Sequence, residues 1–163
     1  MKRAPLALVF ALSLQAAAPS IAQDASQDLG QDLGQANKAI ARRVFLEIFN
    51  QGRLDVARQI YAPDFVNHGV SRDAGLEEDQ AAVRGWRQAA PDLIMSIDIA
   101  LAEGDLVSVA WHGVGTNTGS GNGYNASGRR MKIRGITIWR IERGRIREEW
   151  TQFSAPTPVD QAK

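Results

Sequence analysis

The 163-residue chain has no cysteine, which excludes disulfides and thiolate metal sites and leaves a packed core to hold the fold. Only two histidines are present, His68 and His112, so an imidazole-rich metal centre is excluded too. There is no Gly-x-Ser-x-Gly elbow to supply a hydrolase nucleophile, and no Gly-rich phosphate loop. Neither sign of charge dominates: 19 Lys and Arg face 18 Asp and Glu, a formal net charge of +1. That balance points to neither a nucleic acid nor an anionic membrane as partner.

Long apolar runs are also missing, with one exception at the start. Met1-Lys2-Arg3 is basic, residues 4–18 are nearly all apolar, and Ser20 and Ala22 are small. This is the pattern of a secretory signal peptide, and its apolar run is shorter than the ~20 residues of a membrane span. The expectation is cleavage after Ala22, a periplasmic or secreted location, and no membrane attachment thereafter. Losing Lys2 and Arg3 leaves 17 basic and 18 acidic residues, a formal charge of −1.

Residues 23–35 repeat Gln-Asp-Leu-Gly twice and read as a flexible linker or frayed helix start. From there the period becomes helical. Ile40, Val44, Phe45, Ile48 and Phe49 form one stripe, and Gln51-Gly52 is a natural stop. A short helix over about 54–61 and a longer one over 76–90 follow, the latter with Glu77, Glu78 and Asp79 at its positive end. The remainder alternates. Leu93, Met95, Ile97, Ile99 and Leu101 predict one strand and residues 106–115 a second. Residues 117–128, with four Gly and three Asn, predict a flexible surface loop. Two further runs joined by Glu142-Arg143-Gly144 predict a closing hairpin. Helices followed by an antiparallel meander make the class α+β, with one domain over 36–154 and a polar tail over 155–163.

The chemistry-bearing residues gather in that hairpin. Regular alternation puts Ile146, Glu148, Trp150 and Gln152 on one strand face, which makes Glu148 the leading acid–base candidate. The alternative for Glu148 is an ion pair at the rim with Arg140 or Arg147. Glu149 then points away, as a solvent or interface charge. His68 is a candidate proton donor or orienting group, and His112 ranks below it. Trp150, Trp111, Gln152 and Arg134 are candidate substrate contacts, whereas Trp86 reads as core and Asp92 and Asp105 as turn residues.

In order, Asn50-Gln51-Gly52, Tyr61-Ala62-Pro63-Asp64-Phe65 with His68, Pro91-Asp92, and Glu103-Gly104-Asp105 with Val107 and Trp111 form a series of landmarks. Gly115-Thr116 with Gly119, Ser127-Gly128-Arg129, and Gly144-Arg145-Ile146 with Glu148 and Trp150 complete it. Across residues 41–153 the chain resembles the SnoaL-like polyketide cyclases of the nuclear-transport-factor-two-like superfamily. The resemblance implies a cone-shaped barrel, a curved antiparallel sheet wrapped around amino-terminal helices, dimeric through its sheet and enclosing a hydrophobic pocket. It also implies intramolecular aldol cyclisation or isomerisation beside a carbonyl, with neither metal nor organic cofactor. Departures are Ser154, where the family often has an acid, and the Ala155-Pro156-Thr157-Pro158 tail. The expected partners are a small apolar or carbonyl-containing molecule and a second copy of the chain. The other functional class is a non-catalytic periplasmic ligand-binding or dimerisation module of the same fold.

Overall fold

The computed structural model describes residues 21–69 and 71–159, so most of the expected signal peptide lies outside the described residues. Helix α1 (Ile21–Arg43) continues into a wider π-helical turn, Val44–Asn50. The expected apolar stripe faces inward, with Ala41, Val44, Phe45 and Ile48 buried. Residues 23–35, expected as a flexible linker or frayed helix start, lie within α1. Their two glycines do not stop it. The helix is anchored one turn later, where buried Asn37 donates to the Gly104 carbonyl at 3.3 Å.

At Gly52, φ is +69°, the left-handed conformation that lets the chain leave the helix without strain. A single 3₁₀ turn (Leu54–Val56) and the one-turn helix α2 (Ala57–Ile60) lead directly into strand β1 (Tyr61–His68). The strand thus starts earlier than the Pro63 signal suggested. Strand β2 (Asp73–Ala74) and helix α3 (Leu76–Ala89) follow, then β3 (Ile94–Glu103), β4 (Leu106–Thr116), β5 (Arg130–Glu142), β6 (Arg145–Phe153) and β7 (Thr157–Pro158). The sheet order is β2-β1-β6-β5-β4-β3, and β7, from the polar tail, pairs with β5. All pairings are antiparallel except β1 with β6, which is parallel. The fold is the expected α+β cone, with α1 and α3 closing the concave face of a curved sheet. No helix among the described residues is long and apolar enough to cross a membrane.

The β5–β6 turn has φ of +51° at Arg143 and +74° at Gly144, the paired left-handed conformations of a tight hairpin. Beyond it the ladder is irregular. Ile141 pairs with Ile146 but Arg140 pairs with Glu148, so Arg147 is an extra residue, a β-bulge. A second bulge sits in β3, where Ile97 pairs with Trp111 and Ile99 with Ala110, leaving Asp98 unmatched. Side chains reverse face at each bulge. Met95 is buried, whereas Ile99 and Leu101, expected on the same face, are 58% and 66% exposed.

The glycine-rich 117–128 segment, expected as flexible, is tied down. Asn122 donates to the Ala82 carbonyl at 2.8 Å, buried Asn117 donates to Ala89 at 3.2 Å, and the Gly119 amide bonds Ala89 at 3.1 Å. Gly119 and Gly121 are where the loop touches the α3 backbone too closely for any side chain. In the sheet, Gly135 performs a similar role for Trp111. A Cβ there would lie 2.5 Å from the indole and 2.6 Å from the Gln152 carbonyl. Gly135→Ala is therefore expected to destabilise by roughly 1–3 kcal/mol through overpacking, measurable by urea denaturation.

Candidate functional site

Between the helices and the sheet lies a cavity of about 360 Å³. Phe45 and Phe49 from the π-helical turn, Val83 and Trp86 from α3, and Trp111 and Trp139 from the sheet give it apolar walls. Asn67, Asp79, Thr137, Glu149 and Thr151 place polar groups in those walls. Among the described residues, no Lys, Arg or His side chain lines it. A smaller space of about 180 Å³ adjoins it across Trp86, Leu93 and Ile133, beneath the 117–129 loop and Pro156.

The bulge at Arg147 decides which acid reaches the cavity. Past it, Glu149, Thr151 and Phe153 line the cavity while Glu148, Trp150 and Gln152 take the opposite parity. The expectation that Glu148 faces the pocket and Glu149 faces away is thus reversed. Glu149 is buried, and both its oxygens accept hydrogen bonds. Trp139 Nε1 donates to Oε2 at 2.8 Å, and Thr151 Oγ1 and Asn67 Nδ2 donate to Oε1 at 2.8 and 3.2 Å. The same Asn67 amide donates to Asp79 Oδ1 at 2.9 Å, and Gln80 Nε2 donates to Asp79 Oδ2 at 3.0 Å. Two carboxyls therefore share one amide group on the cavity wall.

Burial without a cation sets their acidity. Loss of water, and after it the nearby Asp79, push the Glu149 carboxyl up to about 8, against the opposing pull of the Trp139 and Thr151 donors. Burial likewise raises Asp79, against the pull of Asn67 and Gln80. Tyr61, also buried on the wall, is raised by the same loss of water and by the two acids. Each of the two acids thus opposes the other's ionisation. Among the described residues, no group of three His, Asp or Glu side chains converges as a metal-ligand set.

The other expected site residues form a separate cluster on the outer face. His68 stacks on Trp150, with ring centroids 4.8 Å apart. Its Nδ1 is 3.1 Å from Asp73, and its Nε2 is 3.4 Å from Glu148. Arg140 lies 3.5 Å from Glu148 and 2.8 Å from Asp105, so the ion-pair alternative describes Glu148. His112 pairs with Asp98 at 2.8 Å, and Gln152 and Arg134 are exposed. Of the expected contacts only Trp111 lines the cavity, joined by Trp86, which sequence reading assigned to core. Asp92 caps Thr116 as a turn residue should. Asp79 was read only as a helix-dipole charge; its neighbour on the wall, Asn67, carried no sequence signal beyond preceding His68.

The SnoaL-like polyketide cyclase family model matches residues 39–161. A search of the curated proteins finds no match. Among solved structures, a candidate SnoaL-like polyketide cyclase from Jannaschia sp. CCS1 is 22% identical, with a TM-score of 0.68 over 74% of this chain and 87% of that one. IdmH, a candidate polyketide cyclase from Streptomyces antibioticus, is 23% identical, with a TM-score of 0.64 over 72% of this chain and 91% of that one. AclR, a candidate hydroxylase from Streptomyces galilaeus, is 21% identical, with a TM-score of 0.66 over 72% of this chain and 74% of that one. These likenesses concern the fold, which carries more than one chemistry. With its family model spanning most of the sequence and the cone closed over an apolar cavity, the chain belongs to the SnoaL-like polyketide cyclase family.

Proposed function

We propose that the protein catalyses acid–base chemistry on a small, neutral, carbonyl-containing molecule, by cyclisation or isomerisation, without a cofactor. Glu149 takes a proton from the carbon beside the carbonyl and returns it. The observation that carries this reading is a buried carboxyl on the wall of an apolar cavity, beside a second acid and away from any cation. With its pKa near 8, Glu149 is close to the operating pH, where a general base and its conjugate acid are both accessible. As the C–H bond breaks, an O–H bond forms on Glu149 and the negative charge moves to the enolate oxygen. Net charge in the cavity is unchanged, so no charge crosses into or out of it. The enolate carbon then attacks a second carbonyl of the same molecule, or is reprotonated at another position.

A direct test follows the α-hydrogens of 2-tetralone in D₂O by proton NMR. Exchange faster than in buffer supports catalysis. A thermal shift with 2-tetralone but no accelerated exchange would favour the ligand-binding module instead.

We further propose that the protein is a homodimer. Ile99, Leu101, Ile136 and Ile138 on the outer sheet face are 58%, 66%, 53% and 37% exposed, and a second copy would cover them. Light scattering at micromolar concentration is expected to give twice the chain mass, and a monomer would refute it. A periplasmic or secreted location rests on residues 1–22 alone.

A further inference from the structure

One hydrogen-bond chain beside Glu149 is unusual in its ends. Trp111 Nε1 donates to Thr137 Oγ1 at 3.0 Å, Thr137 and Thr151 hydroxyls are 2.8 Å apart, and Thr151 is 2.8 Å from Glu149 Oε1. An indole N–H is only a donor, and an ionised carboxylate is only an acceptor. Two hydroxyls, each with one proton, connect them.

That inventory permits two arrangements, and the protonation of Glu149 selects between them. When Glu149 is ionised, Thr151 donates to it, Thr137 donates to Thr151, and Trp111 donates to Thr137. Every hydroxyl proton is committed. When Glu149 is protonated on Oε1, Oε2 still accepts from the Trp139 N–H at 2.8 Å and the remaining lone pair of Oε1 still accepts from the Asn67 amide at 3.2 Å. The new proton then points at Thr151. Thr151 turns and donates to Thr137, which now accepts from Trp111 and Thr151 together. The Thr137 proton is left without a partner in the chain, and Thr137 lines the cavity.

We infer that Thr137 is the group that hydrogen-bonds the developing enolate oxygen, and that Thr151 is a positioning residue that releases the Thr137 proton when Glu149 receives its own. The inference rests on the proposed role of Glu149. The substrate's C–H bond breaks, the Glu149 O–H bond forms, and the hydroxyl protons only rotate about their own C–O bonds. The donor for the oxyanion thus appears with the charge it stabilises, instead of binding the ground-state carbonyl. Thr137 is 3% exposed, so cavity groups compete with little water for that proton. The other titratable groups around the cavity are Asp79 and Glu78 from α3 and Tyr61 from β1.

The test observes both ends of the chain in the unliganded protein. Carbon-13 NMR follows the Glu149 carboxyl and the Thr137 Cβ across pH in the wild type, Thr151→Val and Thr151→Ser. In the wild type, Thr137 is expected to shift with the Glu149 midpoint. Thr151→Val, which keeps the β-branched shape, is expected to abolish the Thr137 response while Glu149 still titrates. Thr151→Ser is expected to restore it. A Thr137 signal indifferent to Glu149 in the wild type, or equally responsive in Thr151→Val, would overturn the relay. Glu149 titrating in the ordinary carboxylate range would instead sink the acid–base reading, and its own signal shows that separately. For 2-tetralone exchange, Thr137→Val is expected to lose about 10²–10³-fold, the usual cost of one oxyanion donor, and Thr137→Ser to recover most of it. Full exchange by Thr137→Val would refute the assigned role.

Discussion

Glu149→Gln is expected to slow 2-tetralone exchange about 10²–10⁴-fold, the range lost on removing a general acid or base, while ligand binding measured by thermal shift persists. The substitution keeps the shape of the side chain and removes its titration. A carboxamide oxygen at the Oε2 position still accepts from Trp139, and a nitrogen at the Oε1 position donates to Thr151 while giving up the Asn67 amide contact at 3.2 Å. The informative control is the next residue. Glu148→Gln is expected to leave the rate within a few-fold of wild type, because Glu148 sits among His68, Trp150 and Arg140 on the other side of the sheet. If Glu148→Gln loses activity and Glu149→Gln does not, Glu149 is not the base.

Stability is expected to fall as pH rises from about 4.5 to 8, against the trend for a protein held by ionised carboxylates. The sign follows from the proton count. Glu149 ionises near 4.5 in the unfolded chain and near 8 in the folded one, so between those values the folded state binds the extra proton. Slope ∂ΔG/∂pH is then negative. Stabilisation from this group is complete below pH 4.5 and is lost as pH passes 8. Each pKa unit corresponds to ~1.4 kcal/mol, so the full contribution is on the order of 3–5 kcal/mol. Asp79 shifts in the same direction and adds to it. Urea denaturation of wild type and Glu149→Gln at matched pH isolates the effect. The difference between them should shift by kilocalories in favour of the Gln variant from pH 5 to pH 8.5, and a difference independent of pH would rule the buried acid out.

The order of elements was legible from period alone. The stripe from Ile40 to Phe49 became the buried face of α1 and its π-helical turn, and the alternating runs became β3 to β6. What escaped was parity. A bulge adds one residue without changing composition, so Leu93 through Leu101 read as one face although Asp98 divides it in two. In β6 the cue was present but small. Ile146 and Phe153 are both apolar yet lie an odd number of positions apart, which one regular face cannot satisfy. The site depended on that parity, because Glu148 and Glu149 are adjacent and chemically identical. Asp79 was hidden for another reason. Three acids in a first helical turn suit the dipole equally well, and only the tertiary packing of α3 on β1 picks out the one that is buried beside Asn67.

Asp98 has a bearing on solubility as well. β3 ends the sheet, and the backbone groups along its outer edge offer a template on which a strand from another molecule can add. A long, flat, apolar edge of that kind invites fibre-like stacking. Ile94, Ile99 and Leu101 supply the apolar character. The unmatched residue breaks the regular spacing of donors and acceptors, and its carboxylate sits in the middle of the run, paired with His112. An incoming strand would meet a kink and a charge where it needs a straight ladder, so the distortion that turns two apolar side chains outward also guards the edge beside them against runaway self-association.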